Sequence, residues 1–159
     1  MDITATGTTV GTAGGGEDNG ALYKSVVRGF CRALDERRVE DLPRFLRADV
    51  VDHNKVIHGE PDEPGAAFEG FRQQLDAFGE IGVEPRQLVA EGDTVVARLL
   101  VRGTHTGHHP RMPEPTGRSF EVEQIWIFTF REGLISELRA VSDRLGMFVQ
   151  LGWDFPSAD

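Results

Sequence analysis

Asp143 stands where an alternating segment gives way to a helical one, in ISELRAVSDRLGMFVQLGW, residues 135–153. A carboxylate there can do two things. It can cap a helix by accepting orphan backbone N–H groups of the first turn, or it can move protons for a ligand held in a pocket. As a plain cap it would share the duty with Ser142, and neither residue has Glu or Gln three positions on to complete a capping box. His105 poses a similar choice. It continues the apolar alternation of Val95, Ala97, Leu99, Val101 and Gly103, where an imidazole needs a partner or a task. Its structural reading is a histidine at the edge of the core, bonded to a backbone carbonyl.

Other polar groups fall on similar walls. Phe120, Val122, Gln124, Trp126, Phe128 and Phe130 share one face of the next alternating run, which sets an amide and a flat ring side by side. Asp52, His53 and Asn54 gather at the end of VVDHN, which suits either a pocket rim or an ordinary Asx turn. Strict alternation in the last run puts Ile135, Glu137, Arg139, Val141 and Asp143 on one face, with Leu138 and Ala140 on the other. Either Glu137 and Arg139 are solvated, or that face turns into polar cavity wall near Asp143. The histidines at 105, 108 and 109 have a spacing that converges only on a helix, whereas THTGHHP reads as strand and loop. No metal site is therefore expected. The chain has no P-loop, no G-x-G-x-x-G after a strand and no G-x-S-x-G, so neither a nucleotide cofactor nor a hydrolase triad has support.

The elements that must position these residues can be read from periodicity. Tyr23, Val26, Val27, Phe30 and Leu34 mark one face of an amphipathic helix, which Asp18 or Asn19 could cap. VEDLPRFLR suggests a short second helix with Leu42, Phe45 and Leu46 inward, and residues 48–54 a short strand. Pro61 and Pro64 punctuate a loop. Phe68, Phe71, Leu75 and Phe78 then give a third helix an aromatic face, ending near Gly79. Four strands follow at 83–89, 94–106, 118–130 and 134–142, with AEGD and REG as tight turns and the proline-rich GHHPRMPEPTG as a longer loop. Helices first and an antiparallel meander second predict an α+β fold, a curved sheet closed into a cone by N-terminal helices. The mouth of such a cone is a natural small-molecule pocket.

Bulk properties narrow the function. The chain of 159 residues suits one domain, expected over residues 20–159, after a Gly- and Thr-rich tail over 1–19 with no apolar periodicity. A formal charge of −9 with no basic stripe argues against nucleic acid. The single cysteine, Cys31, reads as a small buried filler. No run is long and apolar enough to span a bilayer and no signal peptide is evident, so a cytoplasmic protein is expected.

The motifs DVVDHN, GFRQQLDAF, VRGTHTG, PTGR and QIWIF…ISELRAVSDRLGMFVQLG stand in the order and approximate spacing of SnoaL-like polyketide cyclases, of the nuclear-transport-factor-2-like superfamily. The chain resembles that family over residues ~20–153. The resemblance implies the same α+β cone, a homo-oligomer, and an enzyme that closes the last ring of an aromatic polyketide by intramolecular aldol condensation, with no cofactor. It implies that Asp143, in AVSDRLG, is the acid/base, and that His105, His53, Asn54 and Gln124 polarise and orient the substrate, with Phe71, Trp126, Phe128 and Arg139 as further wall. The family commonly has histidine where this chain has Trp126, and a His-Trp pair where it has Leu138-Arg139. Divergent chemistry therefore stays open: hydroxylation, epoxide opening, or a binding module without catalysis.

The aldol reading has a physical basis. A carboxylate in water is too weak a base for most carbon acids. Burial beside Phe128, Trp126 and Leu145 would strengthen it, and nearby donors such as His105 or Gln124 would stabilise the enolate. The outer sheet face carries Val96, Leu100, Ile125 and Ile127, interrupted by Arg98, Arg102, Glu121 and Glu123. That face predicts a homodimer, or a tetramer made of two such pairs.

Overall fold

Apolar residues spaced three and four apart bind α1 (Gly20–Asp35) to the sheet by one face, on which Val27, Phe30, Cys31 and Leu34 are buried. Burial pushes the Cys31 thiol up to about 12, so it is an inert filler. The computed structural model describes residues 18–54 and 63–155. Most of the expected N-terminal tail and the loop at Pro61 lie outside them. Asn19 precedes α1 without a side-chain cap, and the carboxylate of Asp18 instead accepts the N–H of Gly20 at 3.0 Å. VEDLPR forms a 3-10 turn (Val39–Arg44) rather than an α-helix, and Leu46 already belongs to β1 (Leu46–Asp52). Helix α2 (Ala66–Ala77) follows, burying Phe71 and Leu75.

The remaining strands are β2 (Phe78–Glu91), β3 (Thr94–His105), β4 (Ser119–Arg131) and β5 (Leu134–Ser142), before α3 (Arg144–Leu151). Strand β2 is longer than its apolar pattern suggests. Phe78 is its first residue, not the last of the helix, and irregularities at Gly79–Gly82 and Pro85–Gln87 let it bend. Glu80 takes the left-handed conformation (φ 50) inside the first of these. Pro85 is tolerated because β2 is an edge strand. The Glu132-Gly133 turn between β4 and β5 has φ of 54° and 81°, a pair of values that suits glycine and strains glutamate.

The sheet runs β1-β5-β4-β3-β2. Strands β2 to β5 form the expected antiparallel meander, while β1 joins β5 in parallel. The two edges do not pair, so the curved sheet stays open and helices cover its concave face. The α+β class is as expected.

In β5 strict alternation fails. Thr129 faces Glu137 but Phe130 faces Ile135, so Ser136 is an extra residue, its hydroxyl donating to the Thr129 carbonyl at 3.0 Å. This bulge buries both Ile135 and Leu138 and turns Glu137, Arg139 and Val141 away from the core. Ile135 therefore does not share a face with Glu137 and Arg139, as a regular period of two would require.

Candidate functional site

Between the concave sheet and its cover lies a cavity of about 70 Å³. Its floor is Val83, Val101, Phe120 and Gln124 from the strands, with Trp126 beside them. Phe71 and Leu75 of α2 form one side, Met147 and Phe148 of α3 the other, and Met112 and Trp153 close over it. Trp153 is placed by a glycine. Gly152 ends α3 in the left-handed conformation (φ 70), and the N–H of Trp153 reaches back to the Phe148 carbonyl at 3.0 Å while that of Gly152 meets Val149 at 3.2 Å. This Schellman turn folds the C-terminal segment over the hollow.

The polar lining is small: Asn54, Gln74, Gln124, Ser142 and Arg144. Arg144 is the one ionisable side chain among the described lining residues, and its guanidinium donates to Asn54 Oδ1 at 3.2 Å. The Trp126 indole N–H donates to Gln124 Oε1 at 2.6 Å. Phe71 stacks against Trp126, with ring centroids 6.3 Å apart, and so fixes that ring from the helix side. A second, more polar hollow of about 190 Å³ adjoins the first through Asn54 and Gln74, and Asp52, Glu69, His109 and Arg111 border it. His109 is buried there, with its Nδ1 accepting the Arg111 N–H at 3.1 Å.

Of the residues expected at a site, the structure brings Asn54, Gln124, Trp126 and Phe71 to the cavity. Asn54 also makes the Asx turn, its N–H donating to Asp52 Oδ1 at 2.8 Å. Phe128 sits behind the wall, fully buried against Phe30 and Trp126. His53 and Arg139 meet elsewhere, both within 3.0 Å of Glu137 Oε2 and outside the cavity lining. His53 first and Arg139 second hold the Glu137 carboxyl below its ordinary range.

His105 is completely buried and also outside the lining, packed between Phe78 and Trp153. Its Nδ1 accepts the Trp153 indole N–H at 3.3 Å, and Nε2 has no partner among the described residues. Since an indole only donates, the neutral ring must carry its proton on Nε2. Burial holds the imidazole below its ordinary value.

Asp143 is the cap of α3. Its Oδ1 accepts the Gly146 N–H at 2.8 Å, and the side chain is exposed rather than desolvated among Phe128, Trp126 and Leu145. A methyl group at Gly146 would come within 2.2 Å of its carboxylate, so this cap needs glycine three residues on. Ser142 and Arg144 on either side both line the cavity, while Asp143 itself is outside the lining.

Comparison with known proteins shows the family. Residues 24–151 match the family model for SnoaL-like polyketide cyclase. The chain belongs to that family. Aklanonic acid methyl ester cyclases are similar to it: that of Streptomyces peucetius is 28% identical over 84% of this chain and 93% of its own, and that of Streptomyces sp. strain C5 is 30% identical over 84% of each. Among solved structures, TsrD from Streptomyces laurentii superposes with a TM-score of 0.72 at 26% identity, covering 83% of this chain and 96% of its own.

For a SnoaL-like cyclase the cavity also holds residues that pattern reading missed. Gln74 had a legible signal, a polar residue three positions after Phe71 on an apolar helix face. Arg144 had only its place beside Asp143. Met112 and Trp153 had none, since loop and C-terminal segments carry no periodicity. Among the described residues no helix is long and apolar enough to cross a membrane.

Proposed function

We propose that this polyketide cyclase closes a carbocyclic ring of an aromatic polyketide by cofactor-free intramolecular aldol condensation, with Asp143 as acid/base. The carrying observation is an apolar, donor-lined cavity with Asp143 set between two of its wall residues. A hollow of about 70 Å³ is well below the roughly 300–1,000 Å³ of ordinary ligand pockets. A multi-ring substrate must displace part of the Met112–Trp153 cover and extend across the rim, within reach of the Asp143 carboxylate.

The step balances without further reactants. Asp143 takes a proton from a methylene activated by two carbonyls or a quinone, and the resulting carbanion attacks a ketone carbon in the same molecule. One C–C bond forms, the ketone oxygen becomes an alkoxide, and the carboxylic acid returns its proton to it. Gln124 and Arg144 supply donors for the delocalised enolate. The cavity holds the flexible arm folded for attack.

Incubation with an anthracycline-type open precursor tests this. A ring-closed isomer of unchanged mass is expected; binding without conversion, or a product heavier by oxygen or water, would contradict it.

The enzyme works in the cytoplasm as a homodimer. Val89, Val96, Ile125, Ile127 and Val141 are exposed together on the outer sheet face, an area of apolar surface that self-association would cover. Arg98 and Glu123 pair on that face within one chain rather than waiting for a partner. Light scattering should give at least twice 17.5 kDa, and a monomer mass would remove the dimer.

A further inference from the structure

Two of the cavity's amides have their orientation decided by chemistry. An indole N–H can only donate, so the atom of Gln124 that meets Trp126 Nε1 at 2.6 Å is its carbonyl oxygen. A guanidinium likewise only donates, so Arg144 meets the oxygen of Asn54, at 3.2 Å. Each amide thus has its acceptor end held by a neighbour that also lines the cavity. The end that each leaves without a partner among the described residues is its NH₂ group. Gln74 and Ser142 can turn either way.

We infer that Trp126 and Arg144 are positioning residues that lock Gln124 and Asn54 donor-first, making the cavity an anion-accepting site for a planar polycarbonyl or phenolic ligand. The inference rests on the cavity being the substrate site but not on ring closure. Trp126 stands where relatives are expected to carry histidine, and it stabilises the anion through Gln124 instead of by its own charge. Fixed dipoles of this kind need no reorganisation when the enolate forms.

A hydroxyanthraquinone that changes colour on ionising reads this directly, without turnover. With 1,4-dihydroxyanthraquinone bound to the full chain, the donors should favour the phenolate, lowering the pH midpoint of its colour change by at least one unit against the free dye. Burial alone would raise that midpoint. Trp126→Phe keeps a ring but loses the N–H, and should abolish much of the lowering. Gln124→Leu should do the same, and Trp126→Phe in the Gln124→Leu background should add nothing further. Arg144→Met should shift the midpoint up as well, with Arg144→Lys restoring part of it. Failure of the dye to bind, an unchanged or raised midpoint in the wild type, or additive effects of the two β4 substitutions would each overturn the inference. An absence of cyclised product with a lowered midpoint would instead count against the aldol step alone.

Discussion

Strand β4 shows one sequence rule with two outcomes. Its inward residues alternate without a break from Phe120 to Phe130, yet one end of that face is solid and the other hollow. At the solid end, Tyr23 of α1 stacks on Phe130 with centroids 4.2 Å apart, and Phe30 meets Phe128 edge-on at 5.8 Å. Long aromatic side chains from a 16-residue helix reach the sheet and leave no gap. At the other end the cover is α2, an eight-residue helix, a loop and one folded-back tryptophan, which do not fill the same space. Binding capacity here is a matter of what lies opposite the strand, not of the strand itself.

Substitutions at the two ends should separate stability from function. Phe128→Ala opens a void in the solid end, and should cost about 3–5 kcal/mol in urea unfolding, with activity lost only as the fold is lost. Adding volume sharpens the contrast. Val95→Phe has nowhere to go, since Val95 is fully buried, and overpacking should cost about 1–3 kcal/mol. Val101→Phe points a ring into the cavity, and should leave the melting temperature within a few degrees while abolishing dye and substrate binding. Equal destabilisation by the two phenylalanines would mean the hollow is not real space for a ligand.

A smaller effect concerns acid. His105 is neutral in the folded protein because burial lowers its proton affinity, whereas the unfolded chain takes up a proton below about 6.5. The unfolded state then binds more protons, so this contribution is complete above that pH and is lost as pH falls through the window beneath it. Urea midpoints should decline on going from pH 7 to pH 5, and His105→Leu should flatten that slope. The lowered Glu137 adds a separate loss only below the ordinary carboxylate range. A wild-type midpoint that is flat from pH 7 to pH 5 would contradict the neutral, caged His105.

The regular parts of the molecule were legible in the sequence. Helix α1, the meander and the inward faces of β3 and β4 follow from periods of 3.6 and 2, because burial enforces those periods. The failures share a cause. The Ser136 bulge, the strained Glu80 and the Schellman turn at Gly152 depend on single backbone conformations with no repeating signature. The first and last of these also shape the site. The bulge moves Glu137 and Arg139 outward and leaves Ser142 facing the cavity; the Gly152 turn brings in Trp153. Gln124 was legible as a polar residue on an apolar strand face, and Asp143 as a carboxylate where strand gives way to helix, its part as acid/base coming from the family resemblance alone. That Trp126 holds Gln124, or that Arg144 is wall, needed coordinates.

The central claim is that Asp143 works as a base and not only as a cap. Asparagine caps helices about as well as aspartate, so Asp143→Asn removes proton transfer and keeps the bond to Gly146. Ring-closure rates for this variant and the wild type, measured on the open precursor beside their melting temperatures, are the deciding data. The account predicts an unchanged melting temperature and a rate lower by roughly 10²–10⁴-fold. A folded variant that turns over at near wild-type rate would contradict it, and Asp143 would then be a helix cap and nothing more.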